Sequence, residues 1–233
     1  MSRLLVLDID GVLIDADLSF REAVLRALAE LIPATVWTEA HFRAFKRAGG
    51  FNNDFRLTAA AWALAELGQL DRILGADGTA FSALEGRFQA LEPEAQRVVQ
   101  RHYRETRRLE KALISLQELE ATGFDLAIFT GRPPDELDMA FGVLGWQLPA
   151  VCDAGPQWRK PEPAGLLHLA ETFRAEAITF VGDTRDDAEA LRRARALRPE
   201  LRWTFAAVGP DRERFAVPGD LQSPTLRDLL PML

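Results

Sequence analysis

Two carboxylates one residue apart, Asp8 and Asp10, follow the apolar run at residues 4–7 and come just before Gly11. The run reads as a buried strand and the glycine as its turn. Residues i and i+2 of a strand point to the same face, so both carboxylates leave the strand end together. Anions that close repel one another unless a cation, a shared proton or reaction chemistry compensates. An acidic turn after a core strand would look the same, so the rest of the chain decides between the two readings.

Three later segments repeat the arrangement of chemistry at the end of an apolar stretch. Residues 126–129 run into Thr130-Gly131-Arg132-Pro133, and residues 178–181 run into Gly182-Asp183-Thr184-Arg185-Asp186-Asp187. Between them, Lys160 precedes Pro161-Glu162-Pro163, a set of helix-start signals. Ligands of open parallel α/β sheets bind beyond the carboxyl ends of the strands. One sheet edge would then collect Asp8, Asp10 and Asp183 as hard oxygen ligands, with Thr130, the Gly131 amide and Lys160 as donors. Mg²⁺ takes oxygen ligands, usually a few carboxylates plus waters and substrate phosphate. A transferring phosphoryl group needs donors for its equatorial oxygens and an in-line nucleophile. The inventory fits phosphoryl transfer.

In this order, Asp8-Ile9-Asp10-Gly11-Val12-Leu13, a strand-terminal Thr130, Lys160 and Gly182-Asp183 with Asp187 resemble the motifs of the haloacid dehalogenase superfamily of Mg²⁺-dependent aspartyl phosphatases. The resemblance implies a doubly wound, parallel-sheet, Rossmann-like α/β core with an inserted all-helical cap. It implies Asp8 as nucleophile and Asp10 as acid/base, with Asp8, Asp183 and the backbone carbonyl of Asp10 holding Mg²⁺. Thr130, Gly131 and Lys160 would bind the phosphoryl group. Asp187 matches the family's last acidic position, behind the metal or the lysine, and Asp186 either shares that role or caps a helix. Relatives often carry a small or amide residue at the Arg132 position, which leaves it open whether Arg132 contacts substrate or pairs with Asp135 or Glu136. The expected function is hydrolysis of a small phosphate monoester, with phosphoglycolate as the default substrate of the branch and a histidine-pathway phosphate as a weaker candidate. A phosphomutase, a dehalogenase and a non-catalytic binding protein are the rivals. Dehalogenases of this fold lack the acid/base carboxylate that Asp10 supplies.

The elements that must position these groups follow from the spacing. More than a hundred residues separate the first and second segments, too many for an ordinary crossover. Helix-spaced apolar residues at 20–31, 39–48, 55–67 and 86–109 make the insertion helical, with Pro93 expected to break or restart the last helix. This puts a cap at 16–105 and a catalytic core at 1–15 and 106–233. After it, a helix at 110–121 ended by Gly123, a helix from Pro133-Pro134, strands at 150–152 and 203–208 and a helix at 163–173 complete an alternating α/β pattern. Within the insertion, Lys46-Arg47-Ala48-Gly49-Gly50-Phe51-Asn52-Asn53-Asp54-Phe55 is the most unusual stretch. Lys46 and Asn52 are its candidate substrate contacts; as a plain helix connection, it would use Asn53 or Asp54 as N-cap. Arg97, Arg101, Arg104 and Arg108 recur at near-helical spacing and read as a solvated face. His41, His102 and His168 show no metal-ligand spacing.

Composition bounds the rest. The chain has 233 residues, 48% of them hydrophobic, which is enough for one large or two modest domains. Its net charge of −7 argues against nucleic-acid or membrane-surface partners. A single cysteine, Cys152, permits no internal disulfide. The apolar N-terminal run is interrupted by Asp8 and Asp10 and does not read as a signal peptide, and no run is long enough to span a membrane. The expectation is a cytoplasmic protein acting on a small phosphorylated metabolite, either as a monomer or as a homodimer.

Overall fold

The computed structural model describes residues 2–48, 51, 53–76 and 78–233. Contacts divide the chain into two units, Met1–Ala16 with Lys111–Leu233, and Asp17–Glu110.

The first unit is built on a parallel sheet. Its strands are β1 (Arg3–Leu7), β4 (Asp125–Phe129), β5 (Ala150–Val151), β6 (Ala177–Gly182), β7 (Arg202–Ala207) and β8 (Leu221–Gln222), in the order β5-β4-β1-β6-β7-β8. β1 lies between β4 and β6, with Leu7 opposite both Ile128 and Val181. Strand order therefore reverses at β1: the chain builds outward on one side through β4 and β5, then on the other through β6, β7 and β8. Such a switch point opens a crevice at the carboxyl ends of the central strands. Leu4, Leu5, Val6 and Leu7 are all inaccessible to solvent, as expected of a strand covered on both faces. One core layer joins Leu4 and Val6 to Phe129, Phe180, Phe205, Leu166 and Leu191.

The connecting helices are α5 (Leu116–Glu120), α6 (Pro134–Leu144), α7 (Ala164–Thr172), α8 (Arg185–Leu197) and α9 (Leu226–Leu229). α6 opens on Pro134 and closes on Gly145 at φ +75°, the usual proline-in, glycine-out asymmetry. The helix expected at 110–121 is much shorter. Lys111–Ala112 (β3) instead pairs antiparallel with Ile14–Asp15 (β2), and the helix starts only after Ser115. Ser115 and Glu118 form a reciprocal capping box, a Ser-x-x-Glu signal present in the sequence that marks the true start.

The second unit is helical: α1 (Asp17–Leu31), α2 (Glu39–Ala48), α3 (Asp54–Glu66) and α4 (Glu85–Thr106), with 3₁₀ turns at Leu70–Gly75 and Gly78–Leu84. α4 packs along both α1 and α3. Contrary to expectation, α4 runs through Pro93. Pro93 lies on the exposed side, where water can satisfy the carbonyl it leaves without a donor, while Ala95, Val98, Val99 and Tyr103 anchor the buried side. Phe51 is buried against Phe45 and Phe88 at ring-centroid distances of 5.1 and 6.1 Å. Asn53 caps α3, its side chain accepting from the Phe55 and Arg56 amides. Arg97 pairs with Glu94 and Arg101 with Glu30, as befits a solvated face.

Candidate active site

Three adjacent strand ends deliver the candidate groups. Asp8 and Asp10 follow β1, Thr130 and Gly131 follow β4, and Asp183 follows β6. The ladder continues one step past the strands: the Asp8 amide donates to the Val181 oxygen and the Thr130 amide to the Val151 oxygen, each at 3.0 Å. Past Asp10 the chain turns tightly, with the Gly11 amide donating to the Ile14 oxygen at 2.9 Å. Gly11 sits at φ +70°, and a Cβ there would come within 2.1 Å of Asp183 Oδ2. Only glycine lets the first loop approach the third carboxylate so closely. Gly182 does the same for α8, since a Cβ there would lie 2.4 Å from that of Asp187.

Lys160 ties the cluster together. Its ammonium lies 2.9 Å from Asp8 Oδ1 and 2.6 Å from Asp187 Oδ1, and its side chain is only 8% exposed. The rings of Phe129 and Phe180 line its path, their centroids 5.2 and 5.3 Å from Nζ. Asp187 is held rigidly: its Oδ2 accepts from the Thr184 hydroxyl at 2.6 Å and the Thr184 amide at 3.0 Å, in the capping box that starts α8. With both oxygens engaged, Asp187 supports the lysine.

Burial sets the electrostatics. It pushes the Asp8 carboxyl up to about 7, with Lys160 opposing and the charges of Asp187 and Asp10 adding to the rise. Burial likewise raises Asp183 well above the usual carboxylate range, reinforced by Asp187, Asp8 and Asp10. For Lys160 burial pulls downward, but the Asp187 and Asp8 charges outweigh it and hold the ammonium protonated. Asp186 is half-buried, and its carboxyl is raised by burial and then by Asp187.

Carboxylate oxygens of Asp8, Asp183 and Asp187 lie within 4.8 Å of one another, and Asp183 Oδ1 is buried with no hydrogen-bond partner among the described residues. One lysine for so many acids leaves negative charge in excess, and an orphaned carboxylate oxygen is a ready ligand. The donor set is all oxygen, so the site fits a hard divalent cation such as Mg²⁺. Of the three carboxylates, Asp187 has both oxygens engaged, by Lys160 and by Thr184, which leaves Asp8 and Asp183 the freer to face a cation.

A stability measurement follows from these shifts. Asp8 holds its proton up to about pH 7 in the folded chain but only to 3.8 at its ordinary value, so the unfolded chain releases it first. The metal-free protein therefore loses stability as pH rises through that interval. A bound cation removes the repulsion, so the rise in Tm on adding Mg²⁺ is expected to be larger at about pH 8 than at about pH 5. An equal increment at both pH values would count against this cation site.

Arg132 is the feature that the sequence reading left open. It is the largest fully buried side chain among the described residues. Its guanidinium forks onto Asp10, Nε lying 3.1 Å from both carboxylate oxygens and Nη2 2.6 Å from Oδ1. It also reaches Glu136, whose backbone oxygen is 3.5 Å from Nη1. Asp10 was not foreseen as its partner. The strand register gave no signal for it: Leu7 lies opposite Ile128, which aligns Asp8 with Phe129 and Ile9 with Thr130, so the pairs Asp8/Asp10 and Thr130/Arg132 are offset by one residue. Thr130 is fully buried, and its Oγ1 accepts from the Arg132 amide at 3.2 Å.

The other nominated residues lie in the helical unit. Lys46, near the end of α2, has its ammonium 2.9 Å from Asp54 Oδ1 and 5.5 Å from the Phe42 ring centroid. Asn52, Gly49 and Gly50 lie outside the described residues. His41 is buried, 2.9 Å from both Thr38 Oγ1 and Asp71 Oδ1, which is a packing role.

Comparison with known proteins bears on the family and the fold. Residues 3–195 match the family model described as haloacid dehalogenase-like hydrolase. No curated protein matches the chain. Among solved structures, the phosphatase Tt82 from Thermococcus thioreducens is similar, with 24% identity, coverage of 98% of this chain and 99% of that one, and a TM-score of 0.71. A haloacid dehalogenase-like family hydrolase from Streptococcus pneumoniae has 12% identity, coverage of 99% and 98%, and a TM-score of 0.67. A 2-haloacid dehalogenase from Pseudomonas syringae pv. Tomato has 19% identity, coverage of 100% and 97%, and a TM-score of 0.50. At these identities the structural likeness carries the fold alone.

Proposed function

The chain belongs to the haloacid dehalogenase-like hydrolases, and from that premise and the Asp8–Lys160–Asp183 cluster we propose that it is a Mg²⁺-dependent phosphatase acting on a small phosphate monoester. The parallel-sheet unit is the catalytic core and the helical unit its cap. The observation that carries the reading is Asp8 itself: buried, pinned by Lys160 at 2.9 Å, and clustered with Asp183, whose Oδ1 has no hydrogen-bond partner among the described residues.

In the first half of the reaction an Asp8 oxygen attacks phosphorus, the bond to the leaving oxygen breaks, and Asp10 gives that oxygen a proton. In the second half water attacks the phosphoryl group, Asp8 departs as a carboxylate, and Asp10 takes the water's proton. Thr130 and the Gly131 amide donate to the phosphoryl oxygens, and Lys160 offsets charge that builds on them. Asp8, Asp183 and the Asp10 backbone oxygen would hold the cation, which would supply further neutralisation of those oxygens. The presence of Asp10 favours this reading over a dehalogenase. A phosphoglycolate-like ester is the substrate class suggested by the sequence resemblance.

The test is phosphate release across a panel of metabolite esters. Release is expected with Mg²⁺, abolished by excess EDTA, restored on adding Mg²⁺ back and inhibited by Ca²⁺, which tolerates looser coordination. Full activity in EDTA, or halide release from a 2-haloacid in place of phosphate release, would overturn the proposal. Conversion of a sugar phosphate into its isomer without free phosphate would make the protein a phosphomutase.

A further inference from the structure

We infer that Arg132 is the positioning residue for Asp10, fixing the carboxylate that accepts the proton of the attacking water, so that loss of Arg132 stalls the protein with phosphate on Asp8. This inference rests on the phosphatase reading above and adds to it a role for Arg132.

The Arg132 side chain is 1% exposed while that of Asp10 is 38% exposed, so the cation is sunk in the protein and the anion stands at its edge. The cation is itself placed by its neighbours: its backbone amide donates to Thr130 Oγ1, and its Nη1 faces the Glu136 oxygen. Arginine stays charged under any working condition, and its planar fork sets the plane of the carboxylate it binds. Turning Asp10 away would break a charge-assisted fork to a buried guanidinium, which is unfavourable. Asp10 is thus oriented by the guanidinium, with Oδ1 facing both Nε and Nη2 and Oδ2 facing Nε. Oδ1 makes the shorter contact, 2.6 Å to Nη2 against 3.1 Å from Oδ2 to Nε, and Oδ2 is the oxygen assigned to proton transfer.

The water oxygen bonds to phosphorus, the bond from phosphorus to the Asp8 oxygen breaks with its electron pair returning to Asp8, and the water's proton goes to Asp10 Oδ2. With p-nitrophenyl phosphate the leaving group departs without needing a proton, so a misplaced Asp10 spares the first half and slows the second.

The experiment uses the full chain with Mg²⁺ and p-nitrophenyl phosphate. Arg132→Gln is expected to release one equivalent of p-nitrophenol quickly and then turn over about 10²-fold more slowly than wild type, with most of the protein phosphorylated in the steady state. In an Asp10→Asn background the same substitution is expected to cost no more than about twofold, because Arg132 acts only through Asp10. Unchanged turnover in Arg132→Gln, slow turnover without phosphorylated protein, or an additive loss on top of Asp10→Asn would each overturn the inference. A merely structural role would lower the amount of active protein and the burst together. Should Arg132→Gln fail to fold, Arg132→Lys, which keeps the charge and loses the fork, is put through the same comparison with the same criteria. Absence of phosphate release by wild type would instead refute the phosphatase reading and this inference with it.

Discussion

An Asp8→Asn variant is expected to fold as wild type does and to release phosphate at least about 10⁴-fold more slowly. The amide is nearly isosteric with the carboxylate but cannot attack phosphorus. Folding is spared because burial already disfavours the Asp8 charge, which is what pushes its carboxyl to about 7. Lys160 keeps its closer partner, Asp187 at 2.6 Å. Removing a penalised charge should leave Tm at about pH 8 no lower than that of metal-free wild type. Circular dichroism and phosphate release on the same preparation check both halves. Retained turnover would mean that Asp8 is not the nucleophile.

Lys160→Met is expected to be nearly as damaging to turnover and far more damaging to the fold. Without the ammonium, Asp8, Asp183 and Asp187 crowd together with no cation of the protein's own among them. Breaking a buried pair by removing one partner costs about 3–5 kcal/mol, and here the lost lysine serves two carboxylates. That loss should show fully at about pH 8 and shrink toward about pH 5, where the raised carboxyls take up protons and lower the repulsion. Turnover should fall about 10²–10³-fold through loss of charge stabilisation at the phosphoryl group. Thermal unfolding at the two pH values, with and without Mg²⁺, measures the first effect. An unchanged Tm together with wild-type turnover would mean that Lys160 neither offsets these charges nor takes part in the reaction.

The parallel, doubly wound sheet was legible because each of its long strands is an apolar run ending in glycine or polar residues. Registering those runs side by side places Asp8, Thr130 and Asp183 at one edge without further information. Helices with clean apolar spacing, such as α2 at Glu39–Ala48, were equally legible. What escaped was set by pairing between distant segments. Lys111 and Ala112 look helical in isolation and become a strand only because Ile14 and Asp15 lie alongside. Pro93 looks like a breaker until the opposite face of its helix is seen packed. The union of Arg132 with Asp10 spans 122 positions in the chain, and local sequence offers Asp135 and Glu136 as nearer partners. Charges choose partners by burial as well as by proximity, and burial of an arginine is not visible in composition.

Acid-quenching wild-type protein during turnover with a phosphate ester and Mg²⁺, followed by borohydride reduction and peptide mass analysis, tests the central claim most directly. An aspartyl-phosphate on Asp8 is reduced to homoserine, so the peptide carrying position 8 is expected to show that conversion only when ester and Mg²⁺ are both present. Steady phosphate release with position 8 unmodified, or with the phosphoryl label on any other residue, would contradict the account.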